Sequence, residues 1–119
     1  MADSFEGVLA GLMDRFPAIK GAGFLDIDGS EIAATPASAL ERIKAGGAYG
    51  GIQLRRLQTA EQAAGRGGVR HVDLVAEQGR LLAFGVGSEY QLILVLDGAP
   101  APGVVAAASE AVIALEAGI

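Results

Sequence analysis

The chain has 119 residues, 51% of them apolar and 19% charged, which fits one domain over residues 1–119 and is too apolar for disorder. It has no cysteine, which removes disulfides, thiolate metal sites and cysteine nucleophiles, and its one histidine, His71, leaves no imidazole cluster. A formal charge of −5 and a pI near 4.7 exclude the basic footprint of a general nucleic-acid binder.

The chain opens on an amphipathic helix. Asp3 is placed as its N-cap, with Glu6 three residues on. Phe5, Val8, Leu9, Leu12, Met13 and Phe16 then recur at helical spacing until Pro17 stops it. Gly21 to Ile27 reads as a strand, Asp28-Gly29 as a two-residue hairpin, and Ser30 to Ala34 as the returning strand. From Ala37 to about Ala64 the period becomes helical, with Leu40, Ile43, Gly47, Gly50, Leu54, Leu57 and Ala64 on one face. Gly46, Gly47, Gly50 and Gly51 interrupt it, and each interior glycine costs a helix about 1 kcal/mol relative to alanine. Two explanations stand: the helix breaks there, or the glycines admit another backbone at close range.

Gly65-Arg66-Gly67-Gly68 ends the helical region. Val69 to Glu77, Arg80 to Val86 and Tyr90 to Leu96 read as strands, joined by Gln78-Gly79 and Gly87-Ser88-Glu89. The last strand is almost continuously apolar, as a central strand covered on both faces would be. A final helix runs from about Pro102 to Ala117, with Val105, Ala108, Val112, Leu115 and Ile119 marking its buried face. The order α-β-β-α-β-β-β-α predicts an α+β fold, one five-stranded antiparallel sheet with helices packed on its faces.

Sites for chemistry are scarce. Asp26-Ile27-Asp28-Gly29-Ser30-Glu31 starts like a calcium loop, yet the twelfth position is Ala37 where a glutamate is needed, so the hairpin reading is preferred. Gly65-Arg66-Gly67-Gly68 lacks the Gly-Lys-Ser/Thr and the following helix of a phosphate loop. His71 has no nucleophile beside it in any motif, and no two carboxylates are spaced as an acid/base pair. No catalytic residue, metal ligand or cofactor site is assigned. Asp3 and Glu6 stand where a signal peptide would be positive, and Leu92 to Leu96 is far short of the ~20 residues of a membrane span. A cytoplasmic protein without membrane insertion is expected.

Charge is more informative. Arg42, Lys44, Arg55, Arg56, Arg66 and Arg70 lie in a segment whose one acid is Glu61, giving it +5 against −10 for the rest. Arginine favours bidentate contact with carboxylates, so this basic segment suits an acidic partner; alternatively it pairs with nearby acids and only solvates the helix.

The ordered series carries a resemblance. Gly21-Ala22-Gly23-Phe24-Leu25-Asp26-Ile27-Asp28-Gly29 leads to the long alanine-rich second helix. Val72-Asp73-Leu74-Val75, Gly79-Arg80-Leu81-Leu82-Ala83 and the run Leu92 to Leu96 ending in Asp97 then follow. Over almost the whole chain this resembles the roadblock/dynein light chain family, and within it the bacterial members that accompany small Ras-like GTPases. Longin and profilin-like domains share a similar sheet. The resemblance implies a protein without a catalytic site of its own. It also implies a homodimer, or a heterodimer with a paralogous roadblock protein, in which second helices pack and third strands pair. Such a dimer is a platform that binds a small Ras-like GTPase and modulates its nucleotide state. The alternative is a purely structural adaptor that links larger proteins and leaves nucleotide turnover untouched. On this reading Ile43, Gly47, Gly50, Leu54, Leu57, Val72 and Leu74 form the dimer interface, and Arg42, Arg55 and Arg56 meet acidic groups of the GTPase.

Overall fold

The computed structural model describes residues 4–63, 65, 70–77 and 79–119. Helix α1 (Phe5–Arg15) starts at Ser4, whose Oγ accepts the Gly7 N–H at 3.0 Å and satisfies one of the exposed first-turn donors. Asp3, expected in that role, lies outside the described residues. Strands β1 (Ile19–Asp26) and β2 (Glu31–Thr35) follow. The connection between them is longer than the two-residue turn expected. The Asp26 carboxylate accepts the N–H groups of Asp28 (3.0 Å) and Ser30 (2.9 Å), and Gly29 takes a φ of 96° that side chains disfavour. That carboxylate is thereby committed to its own loop.

A short 3₁₀ turn (Ala37–Ala39) leads into α2 (Leu40–Ala63), which runs unbroken through Gly46–Gly51. Strands β3 (His71–Ala76), β4 (Gly79–Val86) and β5 (Tyr90–Leu96) and helix α3 (Val104–Ala117) complete the chain. The expected strand start at Val69, the turn residue Gln78, and Ala64, Arg66, Gly67 and Gly68 lie outside the described residues.

The five strands form one antiparallel sheet in the order β2-β1-β5-β4-β3. The element order and sheet match the expected α+β architecture. Strand alternation then sorts β5 between two cores. Leu92, Leu94 and Leu96 face α1 and α3, where they meet Leu9, Leu12, Phe24, Val104 and Leu115. Ile93 and Val95 face α2, where they meet Leu25, Ile43, Leu54 and Ala83. This two-sided burial is why β5 is apolar at nearly every position. Of the face expected for α3, Ala108 and Leu115 are buried and Val112 packs half-buried against the α1/α3 core. Val104, Ala107 and Ala111 are also buried, whereas Val105 and Ile119 are exposed. Adjacent valines and interspersed alanines gave the pattern no contrast to choose between Val104 and Val105. No helix among the described residues is long and apolar enough to cross a membrane.

Candidate functional site

The four glycines of α2 face the chain's own sheet. A Cβ on Gly47 would fall 2.1 Å from Leu25 Cδ1, one on Gly50 2.9 Å from Ala83 Cβ, and one on Gly51 2.5 Å from the Ile27 carbonyl oxygen. The glycines therefore let α2 lie against β1, β4 and β5 more closely than any side chain would allow. Beneath them, fully buried Gln91 donates its Nε2 to the carbonyls of Gly47 (2.8 Å) and Asp26 (3.1 Å), tying helix and strand together. Gln91 is the one polar residue in an apolar strand, and the sequence pattern gave it no special role.

This geometry redistributes the residues expected at a dimer interface. Ile43 and Leu54 are buried, and Gly47 and Gly50 are filled by sheet side chains, so all four are enclosed within one chain. Their helical spacing marks a core stripe, which looks the same in sequence as an interface stripe. Leu57 is 39% exposed, whereas Val72 and Leu74 on β3 are half-buried, Val72 packing against the core beneath α2.

The outer face of α2 carries residues to which the sequence pattern gave no role. Tyr49 and Ile52 are 55% and 50% exposed, among the exposed alanines Ala45 and Ala48. Tyr49, Leu74, Val75 and Leu81 line an open cleft of about 560 Å³ between α2 and the β3–β4 edge. Val75, on the outermost strand, is 72% exposed. The signal was available: these are large apolar residues opposite the Ile43–Gly47–Leu54 stripe, where a monomeric helix would place polar ones.

The structure does not gather the three expected arginines. Arg42 and Arg56 share the outer face of α2, four turns and roughly 21 Å apart. Neither makes an ion pair among the described residues. Arg42 borders the cleft and lies over Gly79, its Nη2 3.0 Å from where a Cβ there would sit. Arg55 points to the opposite flank and pairs with Asp28 of the β1–β2 loop at 3.2 Å. On the same sheet edge, with their side chains on the face away from α2, Arg80 clasps Asp73 through two hydrogen bonds of 2.8 and 2.9 Å. That hydrogen bonding, together with the charge of the carboxylate and against some loss of solvation, raises the Arg80 pKa above its ordinary value.

The helix α2 laid on one face, the pair α1 and α3 on the other, and this strand order decide the comparison with solved structures. The Roadblock/LC7 domain from Streptomyces avermitilis superposes with a TM-score of 0.81 at 18% identity, over 97% of both chains. The chain has the roadblock fold. Myxococcus xanthus MglB superposes at 0.77 with 15% identity, over 95% of this chain and 92% of that one. The structure "MglB with tetrameric arrangement" superposes at 0.77 with 18% identity, over 98% and 91%. No protein-family model and no curated protein matches the sequence. In this roadblock fold the cleft lies where α2 meets the β3 edge of the sheet.

Proposed function

We propose that the chain is a non-catalytic regulator that dimerises along α2 and β3, with Tyr49 and Ile52 in the seam, and offers the rim of the paired α2 helices, which carries Arg42 and Arg56, to a small Ras-like GTPase. One observation carries the reading. An exposed apolar strip of Tyr49 and Ile52 adjoins an open sheet edge and is flanked by Arg42 and Arg56, two cations without an ion pair among the described residues. Apolar surface at the centre with arginine at the rim is the composition of protein interfaces. The two edges of the sheet also differ. Strand β2 is a five-residue strand that begins with Glu31 and is followed by Pro36, both of which discourage pairing. Strand β3 has no proline or lysine and exposes Val75. The likeness to MglB, one structure of which has a tetrameric arrangement, supports self-association and a protein partner.

Arg42 and Arg56 would meet acidic groups of the GTPase, while Arg55, held by Asp28, stays with the loop. The test is to mix the purified chain with purified small Ras-like GTPases and follow phosphate release. A changed rate of release supports the regulator. Stable binding with no change in rate returns the chain to a structural adaptor.

A further inference from the structure

The backbone of β3 shows which of its groups are open. Gly85 N–H donates to the Arg70 carbonyl at 3.2 Å, which sets the phase of the β3–β4 ladder. Hydrogen-bonded pairs recur every second residue, so Val72, Leu74 and Ala76 bond to β4, while His71, Asp73 and Val75 point their N–H and C=O outward. The same three residues carry their side chains on the α1/α3 face, with Asp73 paired to Leu82 and Val75 to Arg80 across the ladder.

Building on the dimer proposed above, we propose that the two β3 strands pair with the twofold axis through Asp73, and that Arg80 neutralises the two aspartates this brings together. In this register Asp73 faces the partner's Asp73, and His71 faces the partner's Val75. Every outward N–H and C=O of the His71–Ala76 strand is then matched. An axis at Val72 would carry Val75 beyond the partner's strand, and an axis at Leu74 would do the same to His71. Either shift forms fewer backbone hydrogen bonds across the interface than the axis at Asp73 does. On the α2 side the same register sets Val72 against the partner's Leu74, extending one apolar floor under both α2 helices.

The apparent objection is charge, because like charges directly opposite each other destabilise a sheet. Arg80 answers it. Its bidentate clasp holds each carboxylate in a neutral pair, with the two side chains only 25% and 33% exposed. The axis becomes an Arg–Asp–Asp–Arg row rather than two bare anions.

The chain has no cysteine, so single cysteines report the register. Asp73→Cys is made together with Arg80→Gln, so that neither charge is left alone; Val72→Cys and Leu74→Cys are made singly. Facing residues in a hydrogen-bonded pair have Cα atoms about 5.5 Å apart, within disulfide range. At Val72 or Leu74 the symmetric distance is roughly 8 Å, beyond it. Mild oxidation should crosslink the Asp73→Cys chain and leave the other two largely unlinked, with light scattering under reducing conditions giving twice the 12.0 kDa of one chain. Strongest crosslinking at Val72 or Leu74 in a dimer of that mass overturns the register and leaves the dimer standing. No crosslink at any position in a dimer of that mass moves the interface elsewhere and overturns the proposal. A mass of one chain overturns the dimer itself. Separately, Arg80→Gln should weaken dimerisation at least tenfold, and adding Asp73→Asn should restore it to within about threefold. Wild-type dimerisation of Arg80→Gln would remove the role given to the arginine.

Discussion

Gly51 and Gly11 show how differently one methyl group can act in two helices. Gly51 faces the Ile27 carbonyl, a backbone atom that cannot step aside, whereas Gly11 on α1 has open space around it. Gly51→Ala should therefore destabilise the chain by about 1–3 kcal/mol through overpacking. Gly11→Ala should stabilise it by up to about 1 kcal/mol, the ordinary helix preference for alanine. Thermal melts of the two variants should shift in opposite directions. Ile43→Ala should cost about 2–5 kcal/mol, because Ile43 fills the space that Gly21 and Gly23 open beneath it. The sequence marked the glycines as requiring an explanation. It could not choose one, because periodicity reports which face a residue lies on and not what lies against it.

At the scale of elements, α2 has two apolar faces with different duties. The inner one packs on the sheet, and the outer one leaves Tyr49 and Ile52 exposed. Replacing both with Ser should cost the fold of the single chain little, since surface changes usually fall within about 0.5 kcal/mol. A fall in melting temperature that grows with protein concentration then reports the lost dimer. The same change should shift the particle in light scattering from two chains to one. Element positions are legible where the pattern has contrast: the apolar run predicts β5 over Tyr90–Leu96, and the strand lies there. Contrast fails in α3, where Val104 and Val105 are equivalent to any hydropathy argument and the neighbouring alanines do not break the tie. The β1–β2 connection departs from expectation for a different reason. Asp28-Gly29 is a strong hairpin signal in isolation, but the Asp26 carboxylate gathers two backbone N–H groups and stabilises a longer loop.

For the whole molecule, five strands in one antiparallel sheet and a two-sided core follow from the turn signals and the continuous apolar run of β5. The strand order is given by the structure alone. The protein surface is less legible. Helical spacing points to Ile43, Gly47, Gly50 and Leu54 as an interface, and the sheet occupies them. Charge places Arg42, Arg55 and Arg56 together, and the helix turns Arg55 away to Asp28. That pair is 57% and 77% exposed, so Arg55→Ala should change stability by no more than about 1 kcal/mol. Partner binding through Arg42 and Arg56 should also weaken as salt is added, because exposed charges are screened over about 10 Å at 0.1 M. The most direct measurement is a calorimetric titration of a small Ras-like GTPase into the wild-type chain and into Arg42→Glu/Arg56→Glu, with melting curves of both. The expected result is unchanged melting and at least tenfold weaker binding by the variant, a loss of about 1.4 kcal/mol or more. Equal affinity of the two chains at low salt would contradict the proposed surface and place the partner on another face of the molecule.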